Sequence, residues 1–250
     1  MKVLITGASS GIGMEMAKYL DTLNHDLILV ARQKDKLINL KEQLTRKAKI
    51  ITVDLADEDA CLQLYQAVTD EKIDILINCA GFGVYGEFAY TDLRKELDMI
   101  DINIKATHIL TKLFLKDMKK RNKGYILNVS SLAAFQAGPL MASYYATKAY
   151  VLRMTTAIYE ELRRNKSQVK ISVLCPGPVA TGFNDVARIK FSQKPMMGQF
   201  VAKYAINQMF KDKLIIIPGF KFKLCYFFTR FISIKKLLKI NYNIQRKKRL

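Results

Sequence analysis

The sequence has no tryptophan, and only two histidines, five prolines and four cysteines in 250 residues. Cys61, Cys79, Cys175 and Cys225 stand without CxxC or metal-ligand spacing, and His25 and His108 lie far from them along the chain. This excludes a disulfide framework and a zinc-type centre, and makes buried free thiols the expectation, with no metal. There is no Pro/Ser/Gly-rich low-complexity stretch to act as a linker and no repeat of solenoid period. An apolar run opens the chain at Val3, leaving no room for a signal peptide ahead of it, so a cytoplasmic protein is expected. Gly124 to Thr147 carries no charge for 24 residues, long enough to span a bilayer. It also contains Asn128, Ser130, Ser131, Gln136, Gly138 and Pro139, and a strand, a loop and a helix start describe it better than a membrane span.

Half of the residues are apolar, enough for a sizeable core in a single domain. The formal charge is +19, unevenly spread. Residues 211–250 hold 12 Lys/Arg against the single acid Asp212, which leaves net +11 there and +8 in the first 210 residues. A basic tail supplies salt-sensitive affinity for nucleic acid, but no recognition motif accompanies it and no nucleic-acid partner is expected.

The most informative stretch is Thr6-Gly7-Ala8-Ser9-Ser10-Gly11-Ile12-Gly13, directly after the apolar run Val3-Leu4-Ile5. It reads as a strand passing through a glycine turn into a helix. Glycines at 7, 11 and 13 let the backbone turn sharply and let a pyrophosphate approach, while free N–H groups at the helix start face the anion. Asp26 to Arg32 is a second buried strand, and Gln33 to Lys47 follows with Leu37, Leu40 and Leu44 at helical spacing. In dinucleotide binders a carboxylate at the tip of this second strand accepts the ribose 2′-OH, whereas a 2′-phosphate needs a cation. The tip here is Ala31-Arg32, which favours the phosphorylated cofactor over NAD(H), with Arg32 as phosphate clamp and Ser9 as a hydrogen-bond donor.

Strand signals recur at Lys49–Leu55, Ile73–Ala80, Tyr125–Ser130, Val169–Cys175 and Leu214–Ile217. Helical segments are expected at Asp57–Val68, Asp92–Arg121 and Ser143–Asn165. This alternation predicts an α/β protein with a doubly wound parallel sheet of about seven strands. Ligands in such sheets bind beyond the carboxyl ends of the strands. Those ends carry Asp54, Asn78-Cys79-Ala80-Gly81, Ser130-Ser131 and Pro176-Gly177-Pro178. Tyr144 and Lys148, four apart in a helical segment, share a face. A phenol titrates near pH 10 in water, and a neighbouring ammonium lowers that value, making the tyrosine a workable general acid or base. Ser131, 13 residues upstream at a strand end, can point its hydroxyl into the same cleft.

Together these residues resemble the short-chain dehydrogenase/reductase family over roughly residues 1 to 219. The matching pieces run in order: Thr6-Gly7-x-x-x-Gly11-Ile12-Gly13, Asp54-Leu55, Asn78-x-Ala80-Gly81, Asn103, Ser131, Tyr144-x-x-x-Lys148, and Pro176-Gly177 followed by Thr181. The resemblance implies a Rossmann-type domain that transfers a hydride between NADP(H) and a carbonyl or alcohol, the alternative being an NADP(H)-binding regulatory or membrane-associated protein with little turnover. It assigns Tyr144 as proton donor to the carbonyl oxygen, Ser131 as its positioning hydroxyl, and Lys148 as the group that binds the nicotinamide ribose and depresses the Tyr144 pKa. Asn103 would hold a water in the proton relay. Ser10 and Ile12 would join the phosphate turn and Leu55 and Ala80 the cofactor cleft. Asp54 would contact the adenine, Asn78 and Gly81 would line the cofactor, and Val179 and Thr181 would lie by the carboxamide. The family's second asparagine before Ala-Gly is Cys79 here, and a thiol cannot supply an amide's donor and acceptor, so a strand-tying bond is expected to be missing. Tyr145 is followed four residues later by Ala149, which leaves Tyr144 as the catalytic choice.

The loops past the catalytic strands hold Phe82, Val84, Tyr85, Phe88, Phe135, Leu140, Met141, Phe183, Phe191, Met196 and Met197, a lining suited to an apolar ketone or aldehyde of lipid, sterol or acyl type. A homo-oligomer is expected, since the family's two long central helices often pair between subunits. Beyond Gly219 a basic, partly amphipathic extension, residues 220–250, follows the domain of residues 1–219. On one helix Leu224, Phe227, Phe228, Phe231 and Leu238 share a face into which Lys235 also falls. Three readings stand for it: a peripheral contact with an anionic membrane, a cover or subunit contact at the cleft, and a packed terminal helix.

Overall fold

The structure is a computed structural model, and it describes residues 1–183, 194–229 and 231–247. Seven parallel strands form one sheet: β1 (Lys2–Thr6), β2 (Asp26–Ala31), β3 (Lys49–Thr52), β4 (Ile75–Asn78), β5 (Tyr125–Val129), β6 (Lys170–Leu174) and, after two short strands considered below, β9 (Ile215–Ile216). Their order is β3-β2-β1-β4-β5-β6-β9, with every neighbouring pair parallel. The chain therefore winds outward from β1 in one direction and then, from β4, in the other. The crevice where the direction changes lies at the carboxyl ends of β1 and β4.

Strands this apolar are covered on both faces. Val3 and Ile5 point to the side covered by α1 (Gly11–Thr22), α2 (Lys34–Glu42) and α7 (Gly198–Met209), where Met16, Leu20, Leu37, Leu40, Ala205 and Met209 meet them. Leu4, between them, points to the other side with Ile28, Leu76 and Ile126, against Leu64 of α3 (Glu58–Gln66), Leu110 and Phe114 of α5 (Thr107–Arg121) and Leu162 of α6 (Ala142–Arg164). Asp57 caps α3, its carboxylate accepting the Asp59 N–H at 2.9 Å.

The helix expected over Asp92–Arg121 is three pieces in line: α4 (Leu93–Ile100), a wide π-helical turn (Asp101–Ala106) and α5. Asn103 lies in the wide turn, the kind of bulge that re-aims side chains at functional sites. The uncharged stretch 124–147 resolves into β5, a short turn of helix at Leu132–Phe135 and the start of α6. Among the described residues no helix is long and apolar enough to cross a membrane. Two further short strands, β7 (Val179–Ala180) and β8 (Met196–Met197), pair with each other. The tail forms two helices, α8 (Phe220–Thr229) and α9 (Ile234–Arg246), in place of a single amphipathic one.

Under the sheet's carboxyl end lies a buried polar cluster. Asn78 Nδ2 donates to Asn128 Oδ1 at 2.9 Å and to Thr111 Oγ1 at 3.0 Å, and Asn128 Nδ2 donates to Thr155 Oγ1 at 2.9 Å. These bonds tie β4 to β5, α5 and α6. The strand-tying bond expected to be missing because of Cys79 is thus supplied by Asn78. Truncation of a fully buried amide that serves three partners leaves donors and acceptors unpaired at about 1–3 kcal/mol. Asn128→Ala is expected to lower unfolding stability by about 2–3 kcal/mol in urea denaturation, without a change in the m-value.

Candidate active site

The β1–α1 turn opens the cleft. Gly7 and Gly11 adopt φ of +67° and +57°, conformations that strain any residue with a Cβ. A Cβ on Gly7 would lie 2.8 Å from the Ala80 backbone, and one on Gly13 would lie 2.4 Å from the Gly7 carbonyl oxygen. The Thr6 hydroxyl accepts the N–H groups of both Cys79 (3.1 Å) and Ala80 (3.2 Å), fixing the end of β4 beside the turn.

A cleft of about 730 Å³ runs from this cradle across the strand ends. It is lined at one end by Arg32, Gln33, Lys36, Asp54 and Leu55, at the centre by Gly7, Ser9, Ser10, Gly11, Ile12, Ala80 and Gly81, and at the far end by Ser131, Tyr144, Lys148, Pro176, Gly177, Val179 and Thr181. The sequence-derived set therefore meets in one cavity, with three exceptions. Gly13 sits behind the turn, where its lack of a side chain lets α1 close on β1. Asn78, expected to line the cofactor, turns its side chain into the polar cluster below, and Cys79 lines the cleft in its place. Asn103 stands beneath the floor: its Nδ2 donates to the Phe82 carbonyl and to Thr147 Oγ1, both at 3.0 Å, and its Oδ1 accepts the Phe82 N–H at 3.1 Å. A Cβ on Gly81 would approach Asn103 Oδ1 to 2.7 Å and Lys148 Nζ to 3.2 Å, so this glycine keeps the floor open between them.

Ser131, two residues past the end of β5 and still extended, caps the following turn, its Oγ accepting the Ala133 N–H at 3.1 Å. Tyr144 and Lys148 come from the first turns of α6. Burial pushes the Tyr144 phenol well above its ordinary pKa of 10, against the opposing effect of a hydrogen bond with Ser131. Lys148 is nearly fully buried, donates to the Val129 carbonyl at 3.1 Å and stands 5.9 Å from the Tyr144 ring centre. Burial brings its pKa down from 10.5 to about 8. Burial, rather than the Lys148 ammonium, is the leading influence on the phenol in this structure, and it favours the protonated form. The Cys79 thiol, pushed up to about 11 by burial, is neutral.

Around Tyr144 the far end is apolar. Met99, Ala133 and Met141 pack with Phe82, Val84, Tyr85, Tyr145 and Phe183 about it. The expected lining is met only in part. Phe82, Met141 and Phe183 face the cleft, whereas Phe88 is solvent-exposed, Phe135 stacks on Tyr226 at 4.0 Å and Met196 and Met197 form β8. Leu140 is not among the lining residues, and Phe191 lies outside the described residues. Sequence reasoning missed Lys36, in the first turn of α2 four residues after Arg32, and weighed Tyr145 only as a rival catalyst, whereas it lines the cleft. The tail, for which a cover at the cleft was one of three readings, places α9 beside it: Gln245 hydrogen-bonds the Tyr145 hydroxyl and accepts from Tyr85 Oη at its own carbonyl (3.1 Å). Asn241 of the same helix donates to Gln136 Oε1 at 3.1 Å and to the Ala137 carbonyl at 2.9 Å.

A doubly wound sheet with a glycine cradle at its switch point defines a dinucleotide-binding α/β protein, and the cradle that Cβ atoms would fill fits a pyrophosphate. Residues 1–190 match the family model described as short chain dehydrogenase. An uncharacterized oxidoreductase of Staphylococcus epidermidis is 33% identical over 180 residues, covering 71% of this chain and 77% of the relative. A short-chain dehydrogenase from Sphingobium yanoikuyae, solved in complex with NADPH, superposes with a TM-score of 0.82 at 27% identity over 88% of each chain. The bulky-bulky ketone specific alcohol dehydrogenase of Comamonas testosteroni superposes with a TM-score of 0.77 at 26% identity, over 87% of this chain and 86% of that one. The chain belongs to the short-chain dehydrogenase family and is an NAD(P)-dependent oxidoreductase.

The Lys148 pKa has a thermodynamic consequence. A buried ammonium whose folded pKa lies below its unfolded value costs stability throughout the range below about pH 8, and the cost is relieved as pH rises from 8 towards 10.5. Lys148→Met is therefore expected to unfold at higher urea concentration than wild type at pH 7, by on the order of 2 kcal/mol. The gap should narrow as pH rises from 8 to 10. A less stable variant at pH 7 would show that the Val129 bond outweighs desolvation.

Proposed function

We propose that the chain is an NADP(H)-dependent reductase of an apolar ketone or aldehyde, able to run in reverse as an alcohol dehydrogenase. The convergence of Ser131, Tyr144 and Lys148 on one end of the glycine-floored cleft carries the reading. When bound there, the nicotinamide dinucleotide supplies the hydride. The Ser131 hydroxyl orients the carbonyl oxygen, and the Tyr144 phenol, kept protonated by burial, donates the proton that the oxygen needs as it gains negative charge. Lys148, cationic at neutral pH and on the cleft wall, would hold the cofactor's ribose and stabilise the phenolate left after proton transfer. Asn103 acts from below: its side-chain bonds to Phe82 and Thr147 hold the floor under Tyr144.

Preference for the phosphorylated cofactor is supported by Arg32 and Lys36 at one end of the cleft, and by the NADPH complex of the Sphingobium protein. Arg32 Nη1 lies 3.8 Å from Asp54 Oδ2 with both side chains more than half exposed. That pair is weak and leaves the guanidinium free for a 2′-phosphate. The apolar surroundings of Tyr144, and the ketone specificity named for the Comamonas enzyme, support a bulky apolar carbonyl substrate. Leu93, Leu97 and Ile100, at i, i+4 and i+7 on α4, are exposed and favour pairing of this helix between copies in a homo-oligomer.

NADPH oxidation against ketones and aldehydes of rising chain length should show turnover that grows with apolar size. Tyr144→Phe should reduce kcat by about 10²–10⁴ while retaining NADPH affinity. Retained turnover in that variant would remove Tyr144 from the chemistry. In a separate measurement, Arg32→Ala combined with Lys36→Ala should weaken NADPH binding by at least about tenfold and leave NADH nearly unchanged, as loss of charge-assisted bonds requires. Equal loss for both cofactors would argue against a 2′-phosphate clamp.

A further inference from the structure

The tail's first helix, α8, is apolar on two faces. Phe222 and Tyr226 turn inward, packing with Phe135 and Ile215. Phe220, Leu224, Phe227 and Phe228, at i, i+4, i+7 and i+8, occupy the opposite face and are 77, 46, 52 and 54% exposed. Phe231 and Ile234, both more than two-thirds exposed, carry the strip on into α9. An exposed apolar strip of this kind, with Phe227 in ring contact with Phe228 and Phe231, marks an interaction surface.

The strip is surrounded by uncompensated positive charge. Lys221, Lys235, Lys236 and Lys239 are exposed and have no acidic partner among the described residues. The single acid of residues 211–250, Asp212, pairs with Lys170 at 3.2 Å, and Lys223 is engaged with the Tyr204 hydroxyl at 2.9 Å. On α9 the inner side is the half-buried Leu237 and Leu238 with the buried Asn241 and Gln245, while Lys235, Lys236 and Lys239 lie on the outer side.

These features select the occupant. A second copy of this surface would bring two tails of net +11 together, so self-association is opposed by charge. The apolar side chains call for hydrocarbon and the lysines for anions, the combination that an acidic bilayer offers at its headgroup boundary. We propose that α8 and the start of α9 form a docking surface for an anionic lipid bilayer. Phe220, Leu224, Phe227, Phe228, Phe231 and Ile234 enter the headgroup–acyl boundary, and the four lysines meet the acidic headgroups. The inner sides of the same helices touch the cleft walls: Phe222 abuts Gly177, and Gln245 holds Tyr145. Docking therefore brings the apolar end of the cleft close to the lipid. The surface is independent of the substrate assignment.

The test is sedimentation of the full-length chain with phosphatidylcholine vesicles with and without phosphatidylserine. Partition onto the acidic vesicles should exceed that onto neutral ones by at least about tenfold and fall with added salt. Two variants alter exposed positions only: Phe227→Ser with Phe228→Ser, and Lys235→Gln with Lys236→Gln and Lys239→Gln. Each should lower partition by about tenfold or more with an unchanged thermal unfolding midpoint. Absence of vesicle binding, equal binding to neutral vesicles, or wild-type binding by both folded variants would overturn the proposal. So would a dimer of the full chain that the phenylalanine variant dissolves, or retention of duplex DNA at physiological salt that the same variant abolishes, since each assigns the strip to another occupant.

Discussion

The near-contact between the β1–α1 turn and the end of β4 is the constraint from which the site follows. Gly7 leaves no space for a Cβ against Ala80, and Gly13 leaves none against Gly7. The Thr6 hydroxyl then locks the two strand ends by accepting two N–H groups from the neighbouring strand's extension. Since β1 and β4 are the strands from which the connections diverge, this contact forms the floor of the crevice. A methyl group at either glycine would separate the helix start from the floor and spread the amide cradle intended for a pyrophosphate.

From that floor, polar contacts pass to the chemistry. Gly81 follows the locked segment and makes room for Asn103 on one side and Lys148 on the other. Asn103 grips the Phe82 backbone and Thr147, and Thr147 donates in turn to the Tyr144 carbonyl at 2.7 Å. Lys148 and Ser130 join α6 to β5 from both sides, through Val129 O and Lys148 O. The proton-donating helix is thereby held in register with the cradle by hydrogen bonds rather than by apolar packing alone. Buried polar networks of this sort have directional demands, and their satisfaction specifies one arrangement of the elements.

Much of this was legible in the linear sequence because each motif is local. A glycine turn after an apolar run, Tyr144 and Lys148 one helical turn apart, and Ser131 at a strand end all carry their geometry in their spacing. What escaped was long-range. The resemblance implies that Asn78 lines the cofactor, yet strand alternation sends its side chain to the side of α5, where Thr111 and Asn128 receive it. The same alternation brings Cys79 to the cleft. Lys36 reaches the cleft only because α2 starts within two residues of Arg32. Spacing reveals the ammonium that neighbours Tyr144, whereas the desolvation of its phenol depends on Met99, Met141 and Phe183, contributed by separate segments.

The tail shows the same limit in reverse. Treated as one helix, it has Lys235 inside its apolar face, but α8 stops at Thr229 and α9 starts afresh at Ile234, so the two periodicities do not share a phase. The buried side of α9 includes Asn241 and Gln245, whose partners Gln136, Ala137 and Tyr145 lie about a hundred residues upstream. No hydrophobic pattern could announce a face that docks by hydrogen bonds. That mode of docking also separates two roles that an apolar helix usually combines. The fold is held by Phe222, Tyr226, Asn241 and Gln245, all on inner sides, so the outward phenylalanines of α8 contribute little to packing. Their exposure has an unfavourable hydration cost that no described residue relieves, which is the cost that the bilayer contact proposed for this face would remove.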